Sequence, residues 1–141
     1  MMDLIAGTSD DGAGPTPPGG PLIGVEGILS LRDKAASVRV APPIKGYILD
    51  IVRATRDPGA AGLDLTPFIE LGASPRATLA LVGASRAHAM LQGRDYVTPH
   101  DVKSLARDVL RHRLILSFEA DAEGLDTDAV LGRILDHIKV P

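Results

Sequence analysis

The sequence predicts a mainly α fold: a small helical bundle with one or two short strands, entered through a disordered N-terminal tail. Three observations carry this. After Val25, apolar residues recur at helical spacing in separate stretches, and Pro, Gly or capping residues punctuate them. Aromatics make up only 3% of the 141 residues and Trp is absent, so the core must be built from Leu, Ile, Val and Ala. The stretch from Gly7 to Gly20 is dominated by Gly, Pro, Ser and Asp, and cannot bury enough apolar surface to offset its ordering entropy. Residues 1–24 therefore read as a disordered tail or linker. Residues 25–141 read as one domain, a length that supports a single modest core.

Ile28, Leu29 and Leu31 suggest a short helix from Val25 to about Ala36. Val38-Arg39-Val40 alternates like a brief strand. Pro42-Pro43 suits a helix start, and Ile44, Tyr47, Ile48, Ile51 and Val52 then form an apolar face that Asp57-Pro58-Gly59 ends. A loop with Gly62 and Pro67 leads to Ile69-Glu70-Leu71-Gly72. Ser74-Pro75 predicts a further helix, with Ser74 as N-cap, running to about Leu91 and stopped by Gly93. This helix is apolar over most of its circumference, so it is expected to be the central, most buried one. Its small-residue stripe Ala80, Gly83, Ala87 implies close helix packing. Asp95-Tyr96-Val97 is a second brief strand and a candidate partner for Val38–Val40. Thr98-Pro99-His100-Asp101 is a capping box opening a helix with the face Val102, Leu105, Ala106, Val109 and Leu110. Leu114–Leu116 is a short apolar segment and Asp121–Gly124 a polar break. Asp126 or Thr127 caps a last helix with the face Val130, Leu131, Ile134, Leu135 and Ile138.

A net charge of −3 gives no support to nucleic-acid binding. With no Cys, disulfides and thiolate zinc sites are impossible. No secretory signal is expected at the start, and no run approaches the roughly 18 apolar residues of a membrane helix, so a cytoplasmic location is expected. The histidines His88, His100, His112 and His137 lack metal-ligand spacing and read as surface or helix-end residues. No carboxylate pair is placed for acid–base work. There is no Walker pattern and no nucleophile elbow. The expectation is no catalytic residue and no metal site in this chain.

Arg76 is the informative cation. It sits in the first turn of a helix, where the macrodipole disfavours it. Helix starts attract phosphate, and a guanidinium offers planar donors to it. On local chemistry alone, a solvated arginine snorkelling over the helix start is the simpler reading.

Gly72-Ala73-Ser74-Pro75-Arg76-Ala77 does not stand alone. It, Tyr47–Arg56 (YILDIVRATR), Gly93–Pro99 (GRDYVTP), Asp101-Val102 and Val109–Leu114 (VLRHRL) together resemble the C-terminal lid of the MoxR-type AAA+ ATPases. They come in the same order with similar spacing, over Val25 to Pro141. The resemblance implies that Gly72–Ala77 is the sensor-2 segment and that Arg76 contacts nucleotide phosphates. It implies a parent that binds ATP and Mg²⁺ in an ATPase core absent from this sequence, the chain alone binding neither. The implied parent is an ATP-driven, chaperone-like remodelling or assembly factor. The implied partners are that core, neighbouring subunits of a ring and a client protein, with no nucleic acid and no membrane. Arg56, Arg94 and Arg111–Arg113 also match, with roles in ordering the lid or meeting a neighbouring subunit. The alternative reading is a non-enzymatic helical interaction module, histone-fold-like. The Arg94…Thr98-Pro99…Asp101-Val102 pattern would suit it, but it does not require Gly72–Ala77.

Overall fold

A computed structural model describes residues 22–141; the expected tail lies outside the described residues except for its last three positions. The chain forms helices α1 (Val25–Ser37), α2 (Pro42–Arg56), α3 (Arg76–Leu91), α4 (Pro99–Leu110), α5 (Phe118–Ala122) and α6 (Thr127–His137), with strands β1 (Ile69–Leu71) and β2 (Ile115–Leu116). Short 3₁₀ turns lie at Thr66–Phe68 and Arg111–Arg113. The mainly helical class with minor strands is the one that the sequence predicts.

The predicted faces form the core. In α2, Pro42 and Pro43 occupy the first turn, where a missing N–H costs nothing, and Ile44, Tyr47, Ile48, Ile51 and Val52 are buried. In α6, Asp126 caps the start by accepting from the Ala129 amide at 2.7 Å, and Val130, Leu131, Ile134 and Leu135 point inward. These faces meet Val102, Ala106 and Leu110 of α4 and Ala77, Leu81 and Ala89 of α3 in one hydrophobic cluster.

Several expectations need correction. Helix α3 is not the most buried. Its inner line is Ala77, Leu81, Ser85, Ala89, whereas Leu79 and Leu91 are exposed. The supposed packing stripe is off that line, and a Cβ built on Gly83 would meet nothing within 4 Å. A sequence apolar on both sides of a helix does not say which side turns inward. Val38–Val40 and Asp95–Val97 do approach, but as a single parallel bridge between Arg39 and Tyr96. The Arg39 amide donates to the Asp95 carbonyl and the Val97 amide to the Arg39 carbonyl, both at 2.9 Å. Helices begin at Pro42 and Pro99, so the ladder has no room to extend. The regular sheet is instead β1 with β2, antiparallel, with Ile69 opposite Leu116 and Leu71 opposite Ile115. The polar break from Asp121 contains the end of α5, whose start Ser117 caps by accepting from the Ala120 amide. Helix α1 forms where expected, but none of its residues is buried.

One buried carboxylate ties α3 to α4. Gly93, at φ 73°, lets the chain leave α3 through paired bonds: its amide donates to the Met90 carbonyl, and that of Arg94 to the Ala89 carbonyl. This turn brings Arg94 back over the start of α4, where its guanidinium grips Asp101 with two nitrogens, one at 2.7 Å. Asp101 also accepts from the Thr98 amide (2.7 Å), the Thr98 hydroxyl (2.8 Å) and His88 Nδ1 (2.7 Å). The predicted capping box is thus present and is half of a larger network. His88 stands in the last turn of α3, the helix-end position expected from sequence, but it is half-buried and belongs to this network. Burial alone would raise the Asp101 pKa. The bonds from Arg94, Thr98 and His88 outweigh it and hold the carboxyl well below its usual range.

A group with a depressed folded pKa stabilises the fold above its unfolded pKa, about 4, and loses that contribution as pH falls. Asp101→Asn should therefore cost roughly 2–4 kcal/mol at neutral pH, in line with breaking a buried charged network. The gap to wild type should stay constant above about pH 5 and narrow as the pH is lowered further; denaturant melts between pH 2 and 7 measure it. Gly83→Ala should stabilise by roughly 0.5–1 kcal/mol, because Ala is the better helix former and the space is open. A thermal melt in which it destabilises would restore a packing role to Gly83.

Candidate functional site

The position of Arg76 is set by a junction between the end of α2 and the segment that follows β1. Thr55 is fully buried in the last turn of α2. Its hydroxyl donates to the Val52 carbonyl at 2.7 Å and accepts from the Ala73 amide at 3.0 Å. Gly72 lies so tightly on this turn that a Cβ there would overlap the carbonyl oxygen of Thr55. Glycine is thus required by close backbone approach. Arg56 closes the junction from outside, with Nη1 donating to the Ala73 carbonyl at 3.4 Å. Ala73 itself is buried. The chain has three residues, Ala73 to Pro75, in which to turn from this anchor into α3, so the first turn of α3 is held against α2.

Pro75 already has helical dihedrals. The turn opens with tight i→i+3 bonds, the Ala77 amide to the Ser74 carbonyl at 2.8 Å and the Thr78 amide to the Pro75 carbonyl at 3.1 Å. The expected Ser74 side-chain cap is not made. The Ala77 amide, which a capping Ser74 hydroxyl would reach, is taken by the Ser74 carbonyl instead. The start of α3 is therefore without a side-chain cap, and its first turn contains no acidic residue. Arg76 projects from this turn. It is exposed, and it makes no ion pair among the described residues. The site combines an anchored backbone, an uncapped helix start and an uncompensated guanidinium. Chemically it can hold an oxyanion and balance its charge; it offers no nucleophile and no general base.

The other arginines divide differently. Arg94 lies beyond the far end of α3, about 24 Å along the axis of a 16-residue helix, and is engaged by Asp101. Arg111 pairs with Asp108 (3.1 Å) and Asp128 (3.2 Å), joining α4 to α6. Arg113 Nε donates to the Val109 carbonyl. These groups are engaged within the domain, tying neighbouring elements together. Thr55 was not singled out by sequence, although it lies inside the YILDIVRATR motif. Among the described residues, no group of three or more His, Asp or Glu side chains could hold a metal ion, and no helix is long and apolar enough to cross a membrane.

Comparison with known proteins fits this geometry. The family model for the AAA lid domain matches residues 64–134, half of the chain. Chaperone MoxR1 of Mycobacterium tuberculosis is 39% identical over 115 residues, which are 81% of this chain and 30% of that protein. Protein MoxR of Paracoccus denitrificans is 36% identical over 130 residues, 82% of this chain and 38% of that protein. A crystal structure assigned to an ATPase from Cytophaga hutchinsonii superimposes with a TM-score of 0.79 at 37% identity, over 82% of this chain and 36% of that one. The chain thus spans about a third of the length of these relatives. They give the histone-fold-like alternative no support. The chain belongs to the AAA lid domain family, and over most of its length it is similar to MoxR proteins and to a structure assigned to an ATPase.

Proposed function

We propose that this lid closes over ATP held by a nucleotide-binding core, and that Arg76 is its contact with the phosphates. The observation that supports this reading is the uncompensated Arg76 guanidinium at the uncapped start of α3, a helix whose origin is tied to α2 through Thr55 and Gly72. A helix start and a guanidinium together suit a phosphate: the open amide end and the cation both favour negative charge, and the planar fork can bond two oxygens. A rigid junction matters because electrostatic stabilisation depends on donors already aimed before charge develops. Residues 25–141 would form the lid as one unit.

The family binds nucleotide and Mg²⁺ through a AAA+ core and assembles into rings. In this reading the chain's own residues supply the phosphate contact, while the ligands of Mg²⁺ and the water-positioning group come from the core. The whole protein would be an ATP-driven, chaperone-like remodelling factor of the cytoplasm, in keeping with the name of the Mycobacterium relative. The lid would report nucleotide state to the core and to neighbouring subunits.

Two measurements test this. The chain by itself should release no phosphate from ATP with Mg²⁺ above a no-protein control. In the intact ATPase, Arg76→Ala should remove a charge-assisted hydrogen bond worth roughly 1.5–3 kcal/mol. ATP affinity should fall about 10- to 100-fold if the contact forms in the ground state. If it forms mainly in the transition state, turnover should fall with little change in binding. The melting temperature of the lid should be unchanged, because Arg76 is exposed and fills no cavity. Unchanged affinity and turnover would return Arg76 to the class of solvated helix-end arginines.

A further inference from the structure

Three arginines of the described residues are half-buried: Arg86, Arg94 and Arg113. Arg94 has Asp101, and Arg113 has the Val109 carbonyl. Arg86 is the exception. Its Nε is shielded from solvent, and it has no hydrogen-bond partner among the described residues. Nor does the guanidinium form an ion pair there. A half-buried cation with an unmet donor is costly and calls for an explanation.

The surroundings of Arg86 supply one. It lines an open cavity of about 570 Å³ between the end of α1, the extended segment at Val38–Ala41, the first turn of α2 and Tyr96. Lys45 and Arg39 line the same cavity, and among the described residues no carboxylate does. Arg39 is engaged by Asp95 at 3.0 Å, an exposed pair. Lys45 and Arg86 remain without a counter-charge among the described residues. Lys45 stands in the first turn of α2, at the positive end of a helix that carries no acidic residue there. The remaining walls include Val40, Val97 and the half-exposed Tyr96 ring. Among the described residues, every charge that faces the cavity without a partner is therefore positive, while the walls are apolar enough to strengthen an ionic contact inside.

We infer that this cavity is an oxyanion-binding site, in which Arg86 and Lys45 receive a carboxylate or phosphate group presented from outside the lid. Arg86 lies ten residues beyond Arg76 on α3, about 15 Å along the axis, so one group cannot satisfy both. The inference does not rest on the role proposed for Arg76. A guanidinium is the fitting donor because two of its nitrogens match two oxygens of either group. Lys45 adds charge without directional demand.

The test is nitrogen-15 NMR of the full 141-residue chain, reading the Arg86 Nε–H signal and the amides of Val40 and Val97. N-acetylglutamate, inorganic phosphate and sodium chloride are titrated separately at matched ionic strength. At least one oxyanion should shift these signals to saturation, and chloride should not. A carboxylate preference identifies an acidic protein side chain as the source, and a phosphate preference a phosphorylated group. Arg86→Gln should weaken binding by about tenfold or more, as expected for losing one charge-assisted contact. Arg76→Ala should leave it intact. Arg86→Gln should also leave the melting temperature unchanged or raise it, because no internal partner is lost. Shifts that do not saturate, that chloride reproduces or that survive Arg86→Gln would overturn the inference. So would a lowered melting temperature in Arg86→Gln, which would mean that the guanidinium is already satisfied within the lid.

Discussion

A fully buried carboxylate must be bonded on every side or it destabilises the fold that contains it. Asp101 meets that requirement with donors from three places: His88 on α3, Arg94 on the connecting loop and Thr98 at the start of α4. The same bonds that keep it ionised set the rotation of α4 relative to α3 and fix the path of the loop. Once α4 is oriented, Val102, Ala106 and Leu110 meet the inner face of α6, and Arg111 can reach Asp128. The hydrophobic core supplies most of the stabilisation, being the large non-directional contribution. The carboxylate supplies the alignment, because its bonds tolerate little displacement.

The second constraint is steric. Gly72 is pressed onto the carbonyl of Thr55, and Thr55 bonds the next amide. One end of α3 is thereby fixed by a contact of backbone on backbone, and the other by an ion network beyond Gly93. Between them α3 needs few large buried side chains. This explains how a helix with Leu79 and Leu91 exposed, and an open Gly83, still holds its place. Helix packing here follows from the ends, not from a broad apolar face.

What was legible in the sequence was local. The Thr98–Asp101 box, the Asp126 cap, the Pro42-Pro43 start and the faces of α2, α4 and α6 each depend on residues within a turn or two, and each is present. The rest depends on separations that periodicity does not encode. Strand β1 pairs with a segment more than forty residues away. His88 joins Asp101 across 13 positions, so the residue could be listed by sequence as a histidine but not as a partner. Gly72 was visible as part of a motif, while its reason, the turn of Thr55, was not. The inner line of α3 is not legible in its sequence, because Ala and Leu occur on both of its sides. For the site, the motif pointed to Arg76, and the structure adds the anchored, uncapped turn from which it projects. Arg86 carried no motif at all; its unmet donor appears only once α1, α2 and α3 are assembled around it.

The arginines show how a lid differs from a self-sufficient domain. Arg94 has the same side-chain chemistry as Arg76 and Arg86, and it is completed inside the lid by Asp101, where it does structural work. A cation completed in this way is not available to an outside group, since extracting it would leave the buried carboxylate unpaired, a cost of several kcal/mol by analogy with broken buried pairs, about 3–5. Among the described residues, Arg76 and Arg86 carry no such internal claim, one exposed at a helix start and the other at a cavity wall. Net charge does not reveal the distinction: the chain is acidic overall, at −3, yet both uncompensated positions are positive. Because a guanidinium stays protonated, neither can relieve its position by losing a proton. The remaining route is a counter-ion, and the described residues supply none to either arginine.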